Sequence, residues 1–149
     1  MELLVFFLGV ITAIVGYILS NFFLRPLQEF KNIKAKIGHQ LTYYSHIITS
    51  PGPSKITEEA SSQLRNLACD LEEKYLLIPL RKLVTPLRFA PQKSKILDAR
   101  GRLFFLSHSV KEVGKTEENH DAMEKIFTSL KIQEINPVFN ITNKDNNRP

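Results

Sequence analysis

The sequence predicts an all-α protein, with one N-terminal transmembrane helix followed by a small cytoplasmic helical bundle. Three observations predict it. Residues Leu3 to Leu24 carry no charge, and apolar residues beyond them recur every three or four positions. No segment alternates apolar and polar residues as a half-buried strand does. The organisation expected is a transmembrane helix over 1–24, a cytoplasmic bundle over 25–135 and a flexible tail over 136–149.

The uncharged run reaches roughly 33 Å at 1.5 Å per helical residue, against about 30 Å of hydrocarbon in a bilayer. Leu, Ile, Val and Phe fill most of it, and their insertion outweighs the cost of Thr12, Tyr17, Ser20 and Asn21. A permanent anchor fits better than a cleaved leader. Only Glu2 precedes the run, the apolar core is too long, and Phe22-Phe23-Leu24-Arg25-Pro26 follows where a leader has small residues. Arg25, Lys31, Lys34 and Lys36 follow the run closely, so the N-terminus is expected outside and the body in the cytoplasm. The single cysteine, Cys69, agrees with a reducing compartment and excludes an intrachain disulfide.

About 125 residues remain, enough for one small core. Pro26 suits a first helical turn. After it, Leu27, Phe30, Ile33, Ile37, Leu41, Tyr44 and Ile48 form one apolar stripe, predicting a long amphipathic helix that ends before Ser50-Pro51-Gly52-Pro53-Ser54. A second helix is expected from an N-cap at Thr57, with Glu58 and Glu59 favoured by the helix dipole and Ala60, Leu64, Leu67, Leu71 and Ile78 inward. Pro79, Pro86 and Pro91 predict a short helix plus loop over 79–93. A third helix is expected from Ser94 to about Val110, burying Ile96, Ala99, Leu103, Leu106 and Val110. Gly114 separates it from a fourth near Glu117 to Ile132, with Ala122, Ile126, Phe127 and Leu130 inward and Thr116 as its cap. From Asn136 the chain turns Asn-, Lys- and Pro-rich, and the Asn140-Ile141-Thr142 sequon there has no use on a cytoplasmic tail.

Catalytic machinery is not visible. Val113-Gly114-Lys115-Thr116 ends like a phosphate-binding loop, but the position five before its Gly-Lys pair is Ser109, within a predicted helix. His39 and His46 stand about 10.5 Å apart along a helix axis, too far for one metal ion. His108 is isolated, and the adjacent His120 and Asp121 diverge around their helix. Cys69 reads as a small buried thiol beside an apolar stripe. The sequence therefore predicts a non-enzymatic protein with no catalytic, cofactor-binding or metal-binding residues.

Three features stand out. Within the span, Gly9, Thr12, Ala13, Gly16 and Ser20 fall within about 60° of one line, and small residues let membrane helices approach closely. This is the expected transmembrane interface of a homo-oligomer, with Thr12, Ser20 and Asn21 able to line a narrow polar path. On the outer face of the first soluble helix, Gln28, Asn32, Lys36, His39, Tyr43 and His46 lie opposite the apolar stripe. Those residues form an ordinary wet face or, through His39, Tyr43 and His46, a subunit interface. Finally, Arg81, Lys82, Arg88, Lys93, Lys95, Arg100 and Arg102 face the single acid Asp98 in one stretch of a chain whose net charge is +5. That basic segment suits anionic lipid headgroups, or a nucleic-acid or nucleotide ligand.

Arg25-Pro26-Leu27-Gln28-Glu29-Phe30-Lys31, Leu64-Arg65-Asn66-Leu67-Ala68, Ile78-Pro79, and Ala99 with Leu106-Ser107-His108-Ser109-Val110 resemble a group of short single-span bacterial membrane proteins of unassigned biochemistry. The resemblance covers most of residues 1–132 and rests on packing and turn residues. More loosely, the architecture is similar to pore-type membrane effectors of bacterial antiphage defence, including the Hailong system, whose effector is held closed by a nucleic-acid ligand made by a nucleotidyltransferase. That resemblance implies an inner-membrane, homo-oligomeric ion channel that depolarises the membrane. It also implies a ligand on the basic segment and a cytoplasmic nucleotidyltransferase partner. Two other readings of the residues remain: a membrane anchor or scaffold docking a cytoplasmic partner, and a membrane-tethered nucleic-acid or nucleotide sensor.

Overall fold

The computed structural model of the chain describes residues 2–79 and 91–132. They form α1 (Glu2–Leu19), a π turn (Ser20–Leu24), α2 (Arg25–Tyr43), α3 (Ser45–Thr49), α4 (Lys55–Leu76), α5 (Lys93–Ser109) and α6 (Thr116–Leu130), with no strand among the described residues. The fold is all-α, as the periodicities predict. The short helix and loop expected over 79–93, apart from its ends, lie outside the described residues, as does the tail from Asn136.

α1, the π turn and α2 are one continuous rod, helical from Val5 to Tyr43 without interruption. Pro26 sits in the first turn of α2. It has no N–H to donate, and its ring crowds the carbonyl four residues back. The turn before it opens instead: the Arg25 N–H reaches the Ser20 carbonyl, an i to i−5 bond. Chain continuity is thereby kept through a proline that would otherwise break or kink the helix.

α2 ends at Tyr43, six residues short of the expected end before Ser50, because Tyr44 leaves helical geometry at φ −90° and ψ 11°. The kink turns α3 inward, so that Tyr44, Ile47 and Ile48 are all buried. One straight amphipathic stripe presents too narrow a face to bury the adjacent pair Ile47 and Ile48 together. α4 begins at Lys55, two residues before the expected cap. Ser54 is its N-cap: the Thr57 N–H donates to Ser54 Oγ at 3.1 Å. Thr57, buried at the third helical position, donates its hydroxyl to the Gly52 carbonyl at 2.7 Å. At α6 the N-cap position belongs to Lys115 and makes no side-chain cap bond, so Thr116 is the first helical residue and not the cap. Gly114 does end the preceding segment, at φ +86°, a conformation that favours glycine.

Long-range contacts fix the layout as an up-down-up-down bundle of α2, α4, α5 and α6. Glu29 near the start of α2 meets Lys74 near the end of α4. Ser61 early in α4 donates its hydroxyl to the Ser107 carbonyl late in α5, while Glu72 meets Arg100. Asp98 early in α5 accepts from Ser129 late in α6 at 3.0 Å. Asn119 early in α6 reaches Ile48 in α3. The end that holds Arg25, Glu29 and Lys74 is therefore the end nearest the span.

The core is one cluster: Phe30, Ile37 and Leu41 from the rod, Ile48 from α3, Leu64, Leu67 and Leu71 from α4, Ile96, Leu103 and Leu106 from α5, and Ile126 and Leu130 from α6. Each of these side chains contributes about 1.5–3 kcal/mol by leaving water. Small residues on facing helices, Ala60, Ser61 and Ala68 against Ala99 and Ser107, let α4 and α5 pack closely. Cys69 is exposed, not buried. The neighbouring positions Leu67, Ala68 and Leu71 fill the buried face of that turn, which leaves Cys69 turned outward.

Candidate membrane span and rod surface

The N-terminal half of the rod is long and apolar enough to cross a membrane. It packs against no other helix among the described residues: Leu3, Val5, Phe6, Leu8, Ile11, Ile14, Val15 and Ile18 are all exposed. Contiguous exposed apolar patches of this kind are rare on monomeric soluble proteins. Two of its polar side chains bond back to the helix backbone. Thr12 donates its hydroxyl to the Leu8 carbonyl at 2.8 Å, and Asn21 donates its amide to the Tyr17 carbonyl at 3.2 Å. Hydroxyl and amide are thus compatible with hydrocarbon, where an unpaired polar group costs several kcal/mol.

Gly9, Thr12, Ala13, Gly16 and Ser20 are all exposed. A Cβ placed on Gly9 or Gly16 would meet no atom of the described residues within 4 Å, so no contact among them requires either glycine. Lower on the rod, His39 and Tyr43 are exposed and stacked, ring centroids 6.5 Å apart and 9° from parallel. The Tyr43 ring also meets Tyr44 edge-on at 4.9 Å. Tyr44 anchors this aromatic group to the bundle: burial, then the neighbouring Glu59 that accepts its hydrogen bond, then Tyr43 push its phenol above the ordinary value of 10.0. His46 is exposed too, but lies in α3 beyond the break at Tyr44.

The π turn decides how these two surfaces relate. An i to i−5 turn adds one residue to the 3.6-residue register and rotates everything beyond it by about 100°. In an uninterrupted α-helix the Gly9–Gly16 row and the His39–Tyr43 group would lie roughly 150° apart around the axis. With the inserted residue they lie roughly 50° apart. The buried stripe of Phe30, Ile33, Ile37 and Leu41 then points to the opposite side, into the bundle. One side of the rod is thus open from the outer end of the span down to Tyr43. Sequence reasoning identified both rows and could not relate them, because Pro26 reads equally well as the start of a separate helix.

The basic segment is only partly described. Arg81, Lys82 and Arg88 lie outside the described residues, and Lys93 and Lys95 are exposed at the start of α5, at the end of the bundle nearest the span. Arg100 and Arg102 are engaged inside the bundle. Arg100 pairs with Glu72 at 3.2 Å and lies 5.4 Å from the Phe104 ring centre. Arg102 pairs with Asp98 at 3.1 Å and approaches Asp121 at 3.8 Å. Next to them, Leu97, Gly101, Phe105 and Ala122 floor an open groove of about 490 Å³ rimmed by Asp98, Arg102, Glu118 and Asp121. Among the described residues no group of three His, Cys, Asp or Glu side chains is placed to hold a metal ion.

No protein family, curated protein or solved structure matches this chain.

Proposed function

We propose that the chain is a non-enzymatic, single-span membrane protein that self-associates along the open side of its rod, with the bundle on the cytoplasmic side setting the rotation of the span. The observation that carries this reading is the π turn ahead of Pro26. It keeps the span and α2 in one piece and brings Gly9, Ala13 and Gly16 to the same side as His39 and Tyr43. Small residues there allow close helix approach in lipid. The basic residues after Leu24 favour an external N-terminus and a cytoplasmic bundle.

In its narrower form the reading is an inner-membrane effector of bacterial antiphage defence that opens a pore and depolarises the cell. What supports this form is the presence of Thr12 and Ser20 on the small-residue side, together with the architectural likeness to such effectors. The scaffold reading shares the same anchor and bundle without a pore. Expression in a bacterial host with a membrane-potential dye separates them: a pore collapses the potential, and a scaffold leaves it intact.

Self-association is tested by single cysteines in a Cys69→Ser background. Ala13→Cys and His39→Cys chains should each form dimers on mild oxidation in membranes, and Ile11→Cys, on the opposite side of the span, should not. Equal cross-linking at position 11, or none at 13 and 39, removes the reading.

A further inference from the structure

We propose that Lys31, Lys34 and Lys131 form a binding site for the phosphate of an anionic lipid headgroup, at the level where the rod leaves the bilayer. The proposal rests on the membrane reading above and adds a ligand to it.

The three lysines converge because α6 ends against α2. A Cβ on Gly38 would stand 2.9 Å from Cγ2 of Ile132, so residue 131, next to Ile132, ends α6 beside α2. Lys34 is one helical turn nearer the membrane on the same face of α2, and Lys31 nearly one turn nearer again. Lys131 is left-handed at φ 50°, which closes α6 with its side chain exposed. Lys34 is half-buried beside it. Burial, then Lys131, then Lys31 all hold the Lys34 ammonium below its usual 10.5. None of the three forms an ion pair among the described residues, and the nearby Glu29 is taken by Arg25 at 3.3 Å and Lys74 at 3.4 Å. Three cations, one of them partly desolvated, are thus gathered without a counter-charge among the described residues. An anion with several acceptor oxygens relieves both the repulsion and the lost hydration.

Position along the rod selects the source of that anion. Lys31 and Lys34 begin roughly 10 and 15 Å beyond Leu24. Helical side chains lean toward the helix N-terminus, here toward the membrane, and a lysine extends about 6 Å, so the Lys31 ammonium reaches into the headgroup layer and the Lys34 ammonium comes to its aqueous border. A phosphate there is held on one side by lipid and on the other by the α2–α6 junction.

The full-length protein in nanodiscs tests this, with one set made of phosphatidylcholine alone and one containing phosphatidylglycerol. Lipid retained after transfer to mild detergent is counted by native mass spectrometry. Wild type should retain phosphatidylglycerol in preference to phosphatidylcholine. Lys34→Gln with Lys131→Gln should lose that preference, roughly fivefold per lysine removed. Lys55→Gln with Lys111→Gln, the same charge change at the far end of the bundle, should keep it, and circular dichroism should show both variants folded. Absence of a preference in wild type, or equal loss in the two double variants, overturns the site while leaving the membrane reading standing. A chain that never enters the discs removes the membrane reading and the lipid site with it. Saturable binding of inorganic phosphate in lipid-free detergent, lost in the Lys34→Gln, Lys131→Gln chain, reassigns the lysines to a soluble anion and overturns the lipid source.

Discussion

Asn119, at the start of α6, donates its side-chain amide to the backbone carbonyl of Ile48 at 3.1 Å across a sequence separation of 71 residues. Ile48 belongs to the last turn of α3, whose carbonyls have no partner within the helix. Asn119 is fully buried and supplies one. Its Oδ1 has no partner among the described residues, so the amide is held by this bond alone at one end. Asn119→Ala should lower unfolding stability by about 1–3 kcal/mol, since it leaves a buried carbonyl unmet. Asn119→Asp loses the donor and buries a carboxylate, and should cost more. Equilibrium denaturation of the full chain in detergent, followed by helical circular dichroism, gives both numbers. Losses near zero would show that the α3–α6 junction does not depend on this bond.

Gly38 and Ile132 make the other close junction, between the rod and the end of α6. Alanine is the better helix former by about 1 kcal/mol. In the wild-type background, however, its Cβ would press on Ile132 Cγ2, an atom near the backbone and not a flexible tip. Gly38→Ala should therefore give no gain alone and up to about 1 kcal/mol once Ile132→Ala has opened the space. A double-mutant cycle measures the difference. Identical effects in both backgrounds would mean that the two residues are not coupled.

Pro26→Ala restores the missing N–H and removes the ring that opens the π turn, so the turn can close as regular α-helix with no residue lost. The span should then rotate by about 100° relative to α2, parting the Gly9–Gly16 row from the His39–Tyr43 side. Disulfide formation at Ala13→Cys and at His39→Cys should no longer occur in the same assembly. If both cross-links persist at wild-type yield, rotation of the rod does not set the contact.

Ser54→Ala should cost about 1 kcal/mol by removing the acceptor for the Thr57 N–H. Ser54→Asp keeps an acceptor at the helix N-terminus and should recover most of that loss. Thermal melts of the three chains under one detergent condition order them.

Asp98 carries the clearest pH signature. Burial alone would raise its carboxyl, but hydrogen bonds from Arg102 and Ser129, helped by the charges of Arg102 and Lys125, hold it below the ordinary 3.8. A carboxyl depressed in the folded state adds stability above its unfolded value and loses it as pH falls through the folded one. The α5–α6 contact should therefore keep its full Asp98 contribution well above pH 3.8 and lose it progressively as pH falls through that value and below. Ser129→Ala should bring the Asp98 midpoint closer to 3.8 in a carboxyl NMR titration. An unchanged midpoint would show that the 3.0 Å bond from Ser129 does not stabilise the charge.

Most of the helices and their inward faces were legible in the sequence, because both depend on local spacing. Phe30, Ile33, Ile37 and Leu41 are buried for the same reason that they recur every three or four residues. Boundaries were less legible. Ser54 and Thr57 are both good capping residues, and the choice fell to Ser54 only because the Thr57 hydroxyl was needed at the Gly52 carbonyl. The break at Tyr44 was hidden, since Tyr44 and Ile48 extend the α2 stripe without a gap.

By itself the sequence determined the all-α class, the uncharged run able to span a bilayer, the bundle's apolar stripes and the two rows of residues on the rod. These follow from periodicity and charge, which act over a few residues. Only the tertiary structure decided that span and α2 are one rod, that the two rows share a side, that Arg100 and Arg102 are committed to acids within the bundle, and that Lys131 comes to rest beside Lys34. Each of these depends on a rotation accumulated along a helix, or on partners far apart in the chain, and neither is encoded at any single position.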